Sequence, residues 1–189
     1  MTMIKKPIMT VAKVFDLVNV CGPNYLLTLE IPEGPLASLG RFVRLRSWPE
    51  PYQGPGTLLD RPFSIHRSRE TSLDFLIRQV GPATNLLTSL AKGQPVKVIG
   101  PLGRGLDDLV ADYNTKKWYL VAGGAGLGTM ASLIEALQPA AKLYYGERSG
   151  QYQVHPDLVK QLTQNFTAVT EDATGYGQKG LVTQPLIED

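Results

Sequence analysis

The stretch WYLVAGGAGLG, residues 118–128, decides how the second half of this chain folds. Residues 118–122 are a continuous apolar run, which is typical of strands buried in a parallel sheet. The glycines that follow predict a turn, and TMASLIEALQ at 129–138 then has the apolar spacing of a helix. The stretch therefore predicts a strand that passes through a tight glycine turn into a helix.

Strands and helices continue to alternate after this turn. We expect a strand at 142–145, a helix at 156–164 with Pro156 in its first turn, and a strand at 166–170. Such a βαβαβ series predicts a parallel sheet with right-handed crossovers. Ligands of these sheets bind beyond the carboxyl ends of the strands.

The first half of the chain has a different pattern, because short β-forming runs are separated by Gly- and Pro-rich breakers. The runs lie at 9–20, 25–31, 41–46, 62–66, 73–80 and 96–99. One helix interrupts them, with Thr84 as its N-cap and Gly93 just past its end. Many short strands favour an antiparallel barrel or sandwich. We expect two domains, an antiparallel β-barrel at 1–110 and an α/β parallel-sheet domain at 111–189, with a hinge at 100–117.

The tetrapeptide Arg61-Pro62-Phe63-Ser64 points to a flavin. On an extended strand, Arg61 and Phe63 lie on one face, and Pro62 and Ser64 lie on the other. Arginine pairs with phosphate, and a hydroxyl can hydrogen-bond to a ring nitrogen. The alternative is a strand start with an ordinary surface arginine.

Gly81-Pro82-Ala83-Thr84 follows a strand and opens a helix. Free N–H groups, the positive end of the helix dipole and a threonine hydroxyl together suit a pyrophosphate. A plain N-cap explains the same residues. Beside Arg61, however, this helix start could hold the two phosphates of a dinucleotide on the barrel.

The glycines of the turn, Gly123, Gly124 and Gly126, would let the backbone approach a phosphate. The spacing is not GxGxxG, because a threonine stands where the third glycine would fall, and a turn without a ligand is the alternative. Glu147, at the end of the next strand, could accept from a ribose hydroxyl, whereas Arg148 could pair with a 2′-phosphate. The sequence thus leaves NAD and NADP both open.

Composition excludes several classes of function. A net charge of +2 with mixed signs disfavours nucleic acid as a partner, and no apolar run is long enough to span a membrane. Cys21 is the only cysteine, so the chain cannot build a disulfide or a cysteine-ligated metal cluster by itself. The start MTMIKKPIMTVAK lacks a signal-peptide core, which predicts a cytoplasmic protein.

His66 lies two residues beyond Ser64 and would point the same way, but a lone histidine is more often structural.

Taken in order, RPFS, GPAT, GPLGRGL, VAGGAGLG, YGERS and TEDATGYGQKGLVT resemble the motifs of the ferredoxin-reductase-like flavoproteins. Among these proteins, the chain looks most like the electron-transfer subunits of type B dihydroorotate dehydrogenase. The resemblance implies that Arg61 meets the FAD phosphates and that Ser64 lies beside the isoalloxazine as the catalytic residue. It assigns FAD to Arg61, Pro62, Phe63, Ser64, Leu76, Ile77, Arg78, Ala83 and Thr84, and NAD(H) to Gly123, Gly124 and Gly126.

The function that the resemblance implies is FAD-dependent electron transfer between NAD(P)H and a partner redox subunit, such as a dihydroorotate dehydrogenase catalytic subunit. Members of the family continue into a segment whose four cysteines hold a [2Fe–2S] cluster. That segment is absent from this sequence, so we expect a truncated α/β domain and no iron–sulfur cluster in this chain. Two alternatives stay open, a non-catalytic FAD-binding or structural module and a free-standing flavin reductase that serves small acceptors.

Overall fold

The computed structural model of the chain describes residues 6–32, 39–47, 59–107, 110 and 115–189. These residues form a seven-stranded antiparallel sheet followed by a four-stranded parallel sheet. The two-part architecture predicted from the sequence is therefore confirmed.

The antiparallel sheet has the spatial order β4-β3-β7-β1-β2-β6-β5. Its strands are β1 (Ile8–Cys21), β2 (Asn24–Glu30), β3 (Phe42–Arg46), β4 (Arg61–Ser64), β5 (Arg67–Ser68), β6 (Ser72–Arg78) and β7 (Pro95–Leu102). Alternate residues face inward, so that Val43 and Leu45 on β3 and Phe75 and Ile77 on β6 are fully buried. The two-residue strand β5 was not predicted.

This sheet curls into a half-barrel, because the segment after β4 crosses between its two ends. The Ile65 amide donates to the Arg41 carbonyl just before β3, at 3.3 Å. The next amide, that of His66, donates to the Asp74 carbonyl in β6, at 2.8 Å. β4 and β6, far apart in the strand order, therefore approach each other.

The helix of the first half is shorter than predicted and begins earlier. It is α1 (Pro82–Leu87), with Gly81 as its N-cap and proline in the first turn. The prediction of Thr84 as N-cap was wrong, because proline is favoured in a first turn, which makes Thr84 the third residue of the helix. The helix ends before Thr88, whose hydroxyl donates back to the Thr84 carbonyl at 2.8 Å.

The parallel sheet has the order β11-β10-β9-β8, and each pair of neighbours is parallel. Its strands are β8 (Trp118–Gly123), β9 (Ala141–Glu147), β10 (Phe166–Thr170) and β11 (Gln178–Lys179), and the helices are α2 (Leu127–Leu137), α3 (Pro156–Leu162) and α4 (Gln184–Glu188). Short 3₁₀ turns occupy Gly124–Gly126 and Gly150–Tyr152. The predicted βαβαβ series is present, whereas β11 and α4 were not predicted.

Each sheet has its own hydrophobic core, and β1 contributes to both. Ala12 and Val14 pack in the core of the half-barrel, whereas Val20, near the end of the same strand, packs in the core of the parallel sheet. Val110 also belongs to the second core. The division at 110/111 stays a prediction, because residues 108, 109 and 111–114 lie outside the described residues, and part of the predicted hinge is the end of β7.

His66 lies between the half-barrel and α2. The expectation that Ser64 and His66 point the same way was wrong, because β4 ends at Ser64 and the strand alternation does not continue to His66. Ser64 is exposed, whereas His66 is buried. The His66 ring is buried, and its Nδ1 hydrogen-bonds to the Gly128 carbonyl at 3.0 Å. Burial lowers the pKa of His66 from its ordinary value, although the Gly128 carbonyl and the charges of Asp74 and Glu135 oppose this shift while that of Arg67 adds to it.

We expect His66 to make the chain less stable in mild acid. Because the folded protein holds this ring neutral, its contribution is complete above the unfolded pKa of about 6.5 and is lost as the pH falls below that value. His66→Gln should remove this part of the pH dependence, as measured by urea unfolding across a pH series. Parallel curves for wild type and His66→Gln would contradict the assignment.

Candidate functional site

β4 presents the predicted flavin residues at the end of the antiparallel sheet. Arg61, Pro62 and Ser64 are exposed, and Phe63 is half-buried against the core of the half-barrel. Within the part of the chain that the structure describes, neither the Arg61 guanidinium nor the Ser64 hydroxyl has a hydrogen-bond or ion-pair partner. Both groups are therefore available to a ligand.

The three predicted flavin residues at the end of β6 lie in three different environments. Leu76 packs against the core of the parallel sheet, whereas the Ile77 side chain is buried in the half-barrel. Any contact of Ile77 with a flavin would therefore be made by its backbone. The third residue, Arg78, crosses to the parallel sheet.

Arg78 forms an ion pair with Glu147 at the end of β9. Its Nη2 donates to Glu147 Oε1, and its Nη1 lies 3.2 Å from Oε2. The guanidinium also donates to Asn24 Oδ1 at 3.0 Å and to the Tyr152 carbonyl at 3.2 Å, and it stacks over the Tyr152 ring. Asn24 in turn donates to the same carbonyl at 2.7 Å. Every guanidinium nitrogen and both carboxylate oxygens of this partly buried pair thus have a hydrogen-bond partner.

Glu147 is 5% exposed, and its carboxylate is already in use. Besides Arg78, it accepts from the Tyr145 hydroxyl at 3.0 Å, and burial raises the pKa of Tyr145, so that the phenol stays protonated. This geometry does not favour Glu147 as an acceptor for a ribose hydroxyl. Arg148, the other candidate, is exposed at the edge of the same cleft.

The start of α1 offers backbone groups rather than a side chain. The Thr84 hydroxyl accepts from the amides of Val80 at 2.9 Å and Gly81 at 3.0 Å, and it donates to the Gly81 carbonyl. Amides in a first helical turn have no partner within the helix. The amides of Ala83 and Thr84 can therefore donate to a ligand. A Cβ built on Gly81 would meet no atom within 4 Å, so a ligand could approach this backbone closely.

The glycine turn after β8 lies directly over the Arg78–Glu147 pair. Gly124 has a φ of +56°, and a Cβ built on it would lie 3.2 Å from Arg78 Nη1. This position therefore requires glycine both for its backbone conformation and for its close contact. At Gly123 and Gly126, by contrast, a Cβ would meet nothing within 4 Å, so their backbone is open to a ligand.

A cleft of about 800 Å³ lies at the carboxyl ends of β8, β9 and β10. The parallel sheet contributes Gly123, Gly124 and residues 146–148 to its lining, and the half-barrel contributes residues 78–80. Its volume is typical of ligand sites. The structure therefore brings together the end of β6 and the glycine turn, whereas Arg61, Ser64 and Ala83 lie outside the lining of this cleft.

Sequence reasoning missed Asn24 and Tyr152, which complete the hydrogen bonds of Arg78. Both are far from Arg78 in sequence and belong to no motif, so no pattern indicated them. Among the described residues, no group of three or more His, Cys, Asp or Glu side chains is placed to hold a metal ion. None of the described helices has the length and apolar character needed to cross a membrane.

No family model matches the sequence. The chain is 32% identical to the dihydroorotate dehydrogenase B (NAD(+)) electron transfer subunit of Clostridium acetobutylicum, over 92% of this chain and 66% of the relative. It is 31% identical to the subunit of the same name from Desulforamulus reducens, over 90% of this chain and 66% of the relative. The chain thus spans slightly less than two thirds of the length of these relatives.

Solved structures with the same fold include the NADH-dependent reduced ferredoxin–NADP oxidoreductase, with a TM-score of 0.75 and 21% identity. The match covers 95% of this chain and 63% of that chain. The resemblance that we inferred from the ordered motifs is therefore confirmed by sequence and by fold.

We expect Glu147→Gln to destabilise the chain by roughly 3 kcal/mol, because it leaves the Arg78 guanidinium without its buried counter-charge. Urea unfolding measures this change. Glu171→Gln is the matched control, since Glu171 lines the same cleft but is exposed and makes no ion pair within the described residues. Replacing Arg78 and Glu147 together by leucine should recover part of the loss. Equal stability of Glu147→Gln and wild type would show that the pair does not hold the two sheets together.

Proposed function

We propose that this chain, a member of the ferredoxin-reductase-like flavoproteins related to the dihydroorotate dehydrogenase B electron transfer subunits, binds FAD and exchanges electrons with NAD(P)H. Its partner would be a redox subunit such as a dihydroorotate dehydrogenase catalytic subunit in the cytoplasm. One observation carries the proposal: the end of β6 and the glycine turn after β8 line the same cleft. A flavin on the half-barrel and a nicotinamide on the parallel sheet would meet there.

The groups present on the half-barrel fit FAD. The Arg61 guanidinium is exposed and has no partner among the described residues, so it can pair with a phosphate without breaking another interaction. The open backbone at Gly81 and the amides of Ala83 and Thr84 provide neutral donors for a second phosphate. The exposed Ser64 hydroxyl can donate to a ring nitrogen.

The protein's contribution to the reaction would be alignment. When bound, FAD would supply the hydride chemistry itself, so no general acid or base is required of the chain. Arg61 would anchor the phosphate end and Ser64 would hydrogen-bond at the ring, which fixes the flavin at two distant points. The Arg78–Glu147 pair would keep the two walls of the cleft at a constant separation.

The nicotinamide nucleotide would lie on the parallel-sheet side of the cleft, with its phosphates near the backbone of Gly123, Gly124 and Gly126. The open backbone at Gly123 and Gly126 supports this placement. NAD and NADP both remain compatible with the site. The exposed Arg148 could pair with the 2′-phosphate of NADP. NAD, which has no 2′-phosphate, could bind without this ion pair.

A second candidate is an FAD-binding module that takes no nicotinamide nucleotide. One observation favours it: the carboxylate at the end of β9, where many dinucleotide sites hold the ribose, is buried in an ion pair with Arg78. The two candidates differ in whether reduced nicotinamide nucleotides reduce the bound flavin.

We expect the purified chain to bind FAD and to be yellow. Arg61→Ala should weaken FAD binding by about ten- to a hundredfold, since it removes a charge-assisted hydrogen bond. Titration of FAD fluorescence measures the affinity. Lys160→Ala, an exposed cation on α3, is the control and should bind FAD as wild type does. A folded chain that takes up no flavin would rule out the proposal.

A pair of glycine variants should separate the two ligands. Gly123→Val is compatible with the fold, because φ is −97° and a Cβ there meets nothing within 4 Å, but its side chain would obstruct the cleft. Gly81→Val is equally compatible and would obstruct the FAD phosphates instead. We expect Gly123→Val to keep its flavin and lose reduction by NADH or NADPH, and Gly81→Val to bind flavin weakly.

Anaerobic mixing of the flavin-loaded proteins with NADH and with NADPH, followed by absorbance at the flavin band, gives the result. Bleaching of the wild type supports the electron-transfer function, and bleaching unaffected by Gly123→Val would exclude the glycine turn as the nucleotide site. Bleaching by neither nucleotide would favour the non-catalytic module. Turnover with ferricyanide as acceptor, in the absence of any partner subunit, would favour the free-standing flavin reductase.

A further inference from the structure

The outer surface of β1, β7 and β3 carries exposed apolar side chains beside a row of cations. Met9, Val11 and Phe15 on β1 are 71%, 51% and 53% exposed. Arginines on β3 and a lysine on β7 project from the same side of the sheet, since the alternate residues of these strands are buried in the half-barrel. We call this surface the outer basic face, which comprises Met9, Val11, Phe15, Arg44, Arg46 and Lys97.

The strand register makes this surface continuous. Ile99 of β7 pairs with Met9 on one side and with Arg44 on the other. One step along the strands, Lys97 pairs with Val11 and with Arg46. Directly paired residues point to the same side of a sheet and lie in contact distance. Met9 and Val11 are therefore continuous with the cations through β7, and Phe15 lies further along β1 on the same side, beyond the exposed Lys13.

Among the described residues, the patch carries more positive than negative charge. Asp60 lies 3.4 Å from each of Arg44 Nη2, Arg46 Nε and Lys97 Nζ, so one carboxylate faces three cations. These distances are longer than those of charge-assisted hydrogen bonds, which leaves Arg44 and Lys97 with donors for another carboxylate. On β1, Phe15 is held in place by Lys92, whose Nζ lies 4.7 Å from the ring centroid.

The outer basic face is next to the strand that we assign to the flavin. β4 is the neighbour of β3, and Pro62 of β4 pairs with Arg44. Three interstrand steps of about 4.8 Å, about 15 Å in all, separate β4 from β1, and Phe15 lies further along β1. A protein seated on this face would be close to the flavin edge of the half-barrel.

We propose that the outer basic face is the docking surface for the partner redox subunit, which would present an acidic surface with an apolar centre. The identity of the partner rests on the proposed function. A second copy of this chain fits less well, because a two-fold contact would bring the same cations together. An anionic membrane also fits less well, since membrane-surface proteins bury the apolar face of a helix in the headgroup region, whereas this face is a pleated sheet.

The test uses the flavin-loaded chain and the dihydroorotate dehydrogenase catalytic subunit encoded by the same organism, with affinity measured by titration calorimetry at several salt concentrations. Val11→Glu and Arg44→Glu alter the face. Val18→Glu is the control on the same strand, with valine 46% exposed, and Lys160→Glu is the control for charge. Urea unfolding and flavin content verify that each variant is folded.

We expect wild type to bind with an affinity that falls as salt rises, and both face variants to bind about tenfold or more weakly. The two controls should bind as wild type does. If wild type binds and the face variants bind equally well, the docking surface is wrong while the proposed partner stands. If wild type does not bind the catalytic subunit, the proposed partner is wrong, and the docking surface with it.

Two further outcomes would assign the face to another occupant and overturn the proposal. One is sedimentation of the wild type, but not of Val11→Glu, with phosphatidylserine vesicles in the absence of subunit binding. The other is a dimer of the wild type, seen by light scattering, that Val11→Glu dissociates.

Discussion

The ion pair between Arg78 and Glu147 fixes where the half-barrel meets the parallel sheet. Each partner ends a strand of a different sheet, so the pair joins β6 to β9 within the lining of the cleft. Removing two charges from water is costly, and the cost is offset only when further hydrogen bonds support the pair. Asn24, Tyr145 and the Tyr152 carbonyl meet that requirement. The glycine turn, the cleft and the separation of its walls all depend on this arrangement.

The same pair divides the electrostatics of the candidate site. Because Arg78 and Glu147 neutralise each other, the part of the cleft lining that they form presents little net charge to a nucleotide. A nicotinamide dinucleotide would be recognised there chiefly by the open backbone of the glycine turn and by the exposed Arg148. On the half-barrel, by contrast, Arg61 supplies a full positive charge without a protein partner among the described residues. The two ligands would thus be held by different physical means.

Most of the fold could be predicted because burial imposes a local period. Phe166–Thr170 has the bounds that the sequence predicts. The strand that begins at Trp118, the turn and the helix after it follow from the order of apolar residues and glycines alone. The site was less predictable, since the use of a polar side chain depends on distant neighbours. Glu147 was one candidate for the ribose, because nothing near it in sequence shows that Arg78, 69 residues away, occupies its carboxylate. Thr84 was misplaced for a local reason instead, because proline competes for the first helical turn.

The long strand β1 has a mechanical consequence for the whole molecule. It packs Ala12 and Val14 into one core and Val20 into the other, and the Val20 carbonyl accepts from the His155 amide ahead of α3. Neither half can lose its order without withdrawing side chains of the same strand from the other. The described parts of the two halves should therefore melt as one cooperative unit, with a single calorimetric transition in place of two.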